Sequence, residues 1–219
     1  MPCPYCNSDD CTQTERFATA KAARTASLAE SIAALGNAGK AERERLNVSD
    51  FLLNLGVPFV DTDIVSVPEG QDPPDVRFDG AQFEIKELYD DGRRRMDEYR
   101  TQLREAESAT RCGELRPTRP YSPVDTTLAD VMALAIIVGA AHAQRYDQAL
   151  VPTLDLLLYH NLVDVIGMAD VPFPDTAQLA QQRWRSVSVL FGHRSIVFCA
   201  AAGAPPWLRA AAGRVAHRP

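Results

Sequence analysis

One dipeptide constrains the fold of this chain more than any other feature. Asp79-Gly80 stands between "PPDVRF" and "AQFEIKEL", residues 73–78 and 81–88. An Asp-Gly pair between two strand-like runs is a strong hairpin signal, because a two-residue type I′ turn needs positive φ at both positions. Taken literally, the turn pairs Phe78 with Ala81, Arg77 with Gln82 and Val76 with Phe83, and sets Asp75 opposite Glu84. Opposed residues share a face, with Cβ atoms about 4.5–5.5 Å apart. The period of two then places Lys86 on the Glu84 face, and Val76, Phe83 and Ile85 on the other, toward a core.

A hairpin that only had to fold would need none of these three charges. Two carboxylates this close repel, and one is protonated unless positive charge lies between them. The Lys86 ammonium is one source of that charge. A divalent cation is another, since Mg²⁺ takes oxygen ligands and is held by one or two carboxylates plus substrate phosphates. The carbonyl of Ile85 would complete the protein's share of ligands. The plain alternative is an ion-pair patch on a solvated sheet face. Against it stand Pro73-Pro74, which restrict the approach to Asp75, and apolar helices able to cover both faces of the sheet.

Around the hairpin the pattern alternates between helix and strand. Leu28, Ile32 and Leu35 repeat at helical spacing, and Gly36 and Gly39 mark a break. "AERERLNVSDFLLNLG" resumes the helix with Val48, Phe51, Leu52 and Leu55 on one face and Gly56 as stop. "VPFVDTDIVSV" reads as a strand, and "DDGRRRMDEYRTQLREAES" as a charged helix. After a long loop at 110–124, a helix is expected from about Asp125 to Gln148. "TLDLLLYHNL" reads as a buried strand, and "DVIGMADVPFPDTAQLAQQ" as a loop with one helical turn. "WRSVSVLFGHRSIVFCA" reads as a hairpin turning at Gly192-His193, and "APPWLRAAAG" as a short helix. This order predicts an α/β fold with a mixed sheet and a C-terminal hairpin plus helix.

Bulk properties narrow the function. With 219 residues and 46% hydrophobic content the chain can bury a sizeable core, expected as one domain with small additions. The formal net charge of -6 argues against a protein that coats nucleic acid generally, though not against a local basic face. "MPCPYCNSDD" has no basic stretch followed by an apolar run, and "VMALAIIVGAAHA" is about half a membrane span. No signal peptide and no membrane association are expected, and the location expected is cytoplasmic. Five cysteines, unevenly placed, make no disulfide framework.

"PD" at 74–75 followed by "EIK" at 84–86 resembles the signature of the PD-(D/E)xK nuclease superfamily. The superfamily core of helix, three-stranded meander, helix and strand follows the order read above. A closer likeness covers most of the chain. "GKAERERLNVSDFLLNLGVPF", "PPDVRF", "GRRRMDEYR", "AHAQRYDQ" and "WRSVSVL" are similar to an uncharacterised bacterial family to which endonuclease activity is ascribed. Some members of that family lose the lysine; here Glu84-Ile85-Lys86 is intact, which favours retained chemistry.

The resemblance implies a three-layer α/β/α restriction-endonuclease-like domain over residues 21–219. It implies that Asp75 and Glu84 hold Mg²⁺ or Mn²⁺ with help from the Ile85 carbonyl. Lys86 would orient the attacking water and stabilise charge near the scissile phosphate. Superfamily members often add an acidic residue from the first helix. Of Glu42 and Glu44, Glu44 shares the face of Val48, Phe51 and Leu55 and is the candidate; a solvated "ERER" run is the bland reading. The activity implied is metal-dependent hydrolysis of nucleic acid, DNA in the first instance. The alternative is a catalytically silent nucleic-acid-binding or assembly module that retains the fold.

Two further clusters carry expectations. Eight arginines and no lysine lie between Arg93 and Arg119; Arg93 and Arg100 follow the catalytic strand and are the candidates for phosphate contact. A solvated helix with i,i+4 pairs explains them equally. Residues 1–20 read as an appended tail or small metal knuckle. Cys3, Cys6 and Cys11 would give three of the four ligands zinc wants. The fourth would come from Cys112, a distant His, or the second subunit of a homodimer.

Overall fold

The computed structural model describes residues 15–68, 70–71, 73–90, 93–115, 123–162 and 165–218. In chain order these form α1 (Glu15–Leu35), α2 (Lys40–Leu55), β1 (Val65–Ser66), β2 (Val76–Phe78), β3 (Ala81–Leu88) and α3 (Arg95–Ser108). There follow β4 (Val124–Thr127), α4 (Leu128–Ala143), β5 (Asp155–His160), β6 (Val165–Ala169) and α5 (Ala177–Ala180). The last elements are β7 (Ser186–Phe191), β8 (Arg194–Ala200), α6 (Pro206–Ala211) and β9 (Arg214–His217). Contacts divide the chain into two compact units, residues 1–40 with 92–121, and residues 41–91 with 122–219.

The smaller unit pairs α1 with α3. Phe17, Ala109 and Cys112 form its small apolar cluster, with Leu115 packed against it. Lys21 Nζ donates to the Ala109 carbonyl at 2.8 Å, and Arg24 donates to Gln102 Oε1 at 2.7 Å. Helix α1 stops at the expected Gly36–Gly39 break. A Cβ on Gly39 would lie 2.5 Å from the Ala34 carbonyl oxygen, so the turn admits only glycine without rearrangement.

The larger unit is built on a seven-stranded mixed sheet in the order β1-β2-β3-β5-β7-β8-β9. β1-β2-β3 is an antiparallel meander, β3-β5-β7 is parallel, and β7-β8-β9 is antiparallel again. The continuous run Leu156-Leu157-Leu158 belongs to β5, a central strand buried on both faces. Leu156 and Leu158 join one core with Leu128, Val131 and Ala135 of α4. Leu157 joins the other with Val48, Phe51 and Leu52 of α2. A helix thus covers each face, which gives the three-layer α/β arrangement. Trp207 of α6 closes the second core against Phe51, Phe78 and Phe83.

Several segments differ from their sequence reading. The expected strand at 57–67 is reduced to Val65–Ser66, preceded by a 3-10 turn at Asp61–Asp63. Asp63 Oδ2 accepts the Val60 N–H at 3.0 Å, and a local side-chain bond of this kind competes with a strand ladder. The helix expected from Asp125 begins at Leu128, because Thr127 and Asp130 form a reciprocal capping box there. Residues 124–127 instead pair in parallel with β6, a strand read as loop. No helix among the described residues is long and apolar enough to cross a membrane.

Candidate functional site

The hairpin register is the one that Asp79-Gly80 dictates: Phe78 pairs with Ala81, Arg77 with Gln82 and Val76 with Phe83. Both turn residues have positive φ, 38° at Asp79 and 76° at Gly80. Val76, Phe83 and Ile85 enter the core beneath α2, as expected. Glu84 therefore faces α4, with Lys86 one pleat further along.

Asp75 reaches this face by a different route from the simple cross-strand pair. The paired register ends at Val76. Asp75 then donates its own N–H to the Phe83 carbonyl at 2.9 Å, while its carbonyl accepts the Val67 N–H at 2.9 Å. Its carboxylate Oδ2 accepts the backbone N–H of Ile85 at 2.8 Å, in the place of a ladder carbonyl. That bond pins the side chain against β3.

Three charged groups meet as a result. Lys86 Nζ lies 3.4 Å from Asp75 Oδ2 and also contacts Glu84 Oε1. Both carboxylates are buried, with Asp75 3% and Glu84 2% exposed, while Lys86 keeps about a fifth of its side chain in solvent. Burial pushes the Glu84 carboxyl above its usual range, and the Asp75 charge adds to that; the Lys86 charge opposes it. The solvated-patch reading does not describe such a cluster.

Two residues at the C-terminal end of α4 complete the surroundings, His142 in its last turn and Tyr146 three residues past its end. The helix ends at Ala143 rather than near Gln148, and the chain turns so that the Tyr146 hydroxyl donates to Glu84 Oε1. Glu84 Oε2 is buried with no hydrogen-bond partner among the described residues. His142 Nδ1 is likewise buried and without a hydrogen-bond partner among the described residues. Burial, reinforced by the positive charges of Lys86 and Arg145, lowers the His142 pKa to about 4, so its ring is neutral at physiological pH. In the sequence His142, Gln144 and Tyr146 end a core helix, from where they could approach the charged cluster, and neither His142 nor Tyr146 is a candidate catalytic residue there. The one available signal was a phenol and an imidazole following an otherwise apolar helix that must cover the sheet.

The other predicted residues lie as follows. Glu44 is 7% exposed on α2, one turn before Val48, on the helix that covers the Phe83 and Ile85 face. Arg93 and Arg100 belong to the smaller unit. Arg93 Nε donates to both Glu98 carboxylate oxygens at 3.1 Å, and Arg100 is exposed beside Asp97 at 3.7 Å. Cys3, Cys6 and Cys11 lie outside the described residues, and Cys112 is buried. Among the described residues no group of three or more His, Cys, Asp and Glu is gathered for a metal ion.

Residues 21–218 match the family described as "Putative endonuclease, protein of unknown function (DUF1780)". The chain belongs to this family. The match begins at Lys21, past the cysteine-bearing N-terminus, and runs through both compact units. A solved structure from Pseudomonas aeruginosa strain PAO1 is similar over 93% of this chain and 96% of its own, at 26% identity and a TM-score of 0.63. That protein is described as one of unknown function in a monooxygenase superfamily. No curated protein matches the chain.

Proposed function

We propose that this chain is a metal-dependent nuclease of the PD-(D/E)xK type that hydrolyses phosphodiester bonds of nucleic acid, DNA foremost. The observation that carries the reading is the convergence of Asp75, Glu84 and Lys86 in one buried cluster on a three-stranded meander. The family description, the element order and the intact Glu-x-Lys support the same reading. The structural relative's monooxygenase description carries less weight here, because two carboxylates and an ammonium suit phosphate chemistry.

The residues present fit a divalent ion of the Mg²⁺ class. Glu84 Oε2 is a buried carboxylate oxygen without a donor, the kind of orphan an ion would satisfy. A strand residue's N–H and C=O leave on the same edge, so the Ile85 carbonyl faces the edge its N–H shares with Asp75. Asp75, Glu84 and the Ile85 carbonyl would hold Mg²⁺ or Mn²⁺, with waters and substrate phosphate as the remaining ligands. When bound, the ion supplies a more acidic water and neutralises charge on the phosphate oxygens.

The chain's own part is positioning and charge. Lys86 stands on both carboxylates and still reaches solvent, which suits it to orient a water and to meet the negative charge that builds at phosphorus. Asp75 is held in place against β3 by the Ile85 N–H.

A second reading has one observation in its favour: Lys86 already supplies positive charge between the carboxylates. On that reading the chain is a silent nucleic-acid-binding module. Incubation of the full chain with supercoiled plasmid separates the two. The nuclease nicks or linearises DNA with Mg²⁺ or Mn²⁺ and not with EDTA, and Lys86→Met lowers the rate by about 10² or more. Retained DNA binding without cleavage in the wild type would favour the silent module, and undiminished cleavage in Lys86→Met would place the chemistry at another site.

A further inference from the structure

Resting on the nuclease reading, we infer that Tyr146 is a positioning residue: its hydroxyl holds Glu84 in the orientation that offers Oε2 to the metal. The two oxygens of Glu84 are treated unequally. Oε1 takes two donors, Tyr146 and Lys86, while Oε2 takes none among the described residues. A carboxylate buried this deeply and free to rotate would share its donors, since a buried acceptor left without one costs about 1–3 kcal/mol. Something fixes it, and the two donors differ in their fitness for that task.

Lys86 is a four-carbon stem with solvent access and contacts to both carboxylates. It is suited to move toward substrate, and it then ceases to hold Glu84. Tyr146 is a rigid ring with only two side-chain torsions. It packs against the core beneath α4 and meets Trp184 edge to face at 6.2 Å. Trp184 is itself fixed, with Nε1 donating to the Gly139 carbonyl at 3.2 Å. Hydrogen bonds from Tyr146 N to the Ala143 carbonyl at 3.4 Å and from Leu150 N to the Asp147 carbonyl at 2.9 Å tie down the turn around it. The phenol therefore holds Oε1 whether or not Lys86 is engaged elsewhere. An outer group that orients a metal ligand in this way typically contributes 10- to 100-fold to metal affinity.

The test is titration of the full chain with Mn²⁺ alone, read by calorimetry or by loss of the free-ion paramagnetic resonance signal. Tyr146→Phe keeps the ring and removes the donor. It should weaken Mn²⁺ binding by about tenfold or more, with the far-ultraviolet circular dichroism of the metal-free protein unchanged. Tyr146→Gln, which keeps a donor without the ring, should recover part of that loss; Tyr146→Leu, which also lacks the donor, serves in place of the Phe variant if that one fails to fold. Lys86→Met should bind Mn²⁺ at least as tightly as the wild type, because it removes a repelling charge. Mn²⁺ binding by Tyr146→Phe within twofold of the wild type overturns the inference and leaves the nuclease reading intact. Absence of Mn²⁺ binding by the wild type overturns both.

Discussion

The Asp75 carboxylate accepts the backbone N–H of Ile85 at 2.8 Å, so a side chain completes the edge of β3 where β2 has left the ladder. This bond joins fold and site. It satisfies a buried donor and aims Asp75 at the Lys86 ammonium.

Asp75→Ala and Asp75→Asn should therefore differ. The alanine leaves the Ile85 N–H unsatisfied and should lower stability by about 1–3 kcal/mol. The asparagine can offer its amide oxygen to the same N–H and should stay within about 1 kcal/mol of the wild type. Both should lose Mg²⁺-dependent cleavage. Urea denaturation beside a plasmid assay distinguishes the two effects.

Lys86 and Glu84 should be energetically coupled. Lys86→Met strands a buried carboxylate and should cost about 2 kcal/mol, less than a fully enclosed pair because Lys86 retains some solvent. In Glu84→Gln the stranded charge is gone, so the double variant should be more stable than the sum of the single losses by about 1–3 kcal/mol. Additive losses in a double-mutant cycle would contradict the contact.

His142 should titrate near pH 4 in metal-free protein, against 6.5 for a free imidazole. The unfolded ring then binds its proton first. The His142 contribution to stability is complete above pH 6.5 and is lost as pH falls from there toward 4. Glu84 acts in the opposite sense: its raised pKa favours the protonated folded state, so its contribution weakens as pH rises above 4.5. Nuclear magnetic resonance of the imidazole protons separates the two, and Lys86→Met should move the His142 pKa upward.

Arg185 should matter for folding and not for metal. Asp155 is fully buried at the start of β5 and accepts from Arg185, Ser186 Oγ at 2.8 Å and the Gln82 N–H at 2.9 Å. Arg185 also donates to the Gly80 carbonyl at 3.0 Å, which ties the hairpin turn to the central strands. Arg185→Ala should cost about 3–5 kcal/mol in urea denaturation, with Mn²⁺ affinity unchanged in the folded fraction.

The hairpin was legible because a two-residue turn leaves one register, and a one-residue slip would bury Glu84 and Lys86 where Phe83 and Ile85 belong. The Leu156-Leu157-Leu158 run likewise announced a strand buried on both faces. What escaped the sequence depended on contacts between distant segments. β6 pairs with β4 through Gly167, where a Cβ would lie 2.2 Å from Asp125 Oδ1, and no local pattern carries that information. β9 is a short edge strand of "RVAH" after Gly213, too brief for a period to show. The start of α4 was legible in Thr127 and Asp130, a capping pair that a reading from hydrophobic period alone passes over. The Tyr146–Glu84 contact was hidden by the helix ending about one turn sooner than its composition suggests.

The most direct measurement is anomalous diffraction from crystals of the full chain soaked in Mn²⁺. The expected result is an ion between Asp75 and Glu84, bound through Glu84 Oε2 and within reach of the Ile85 carbonyl. Soaks that place Mn²⁺ elsewhere in the crystal while the Asp75–Glu84 position stays empty, with Lys86 still bridging both carboxylates, would contradict it.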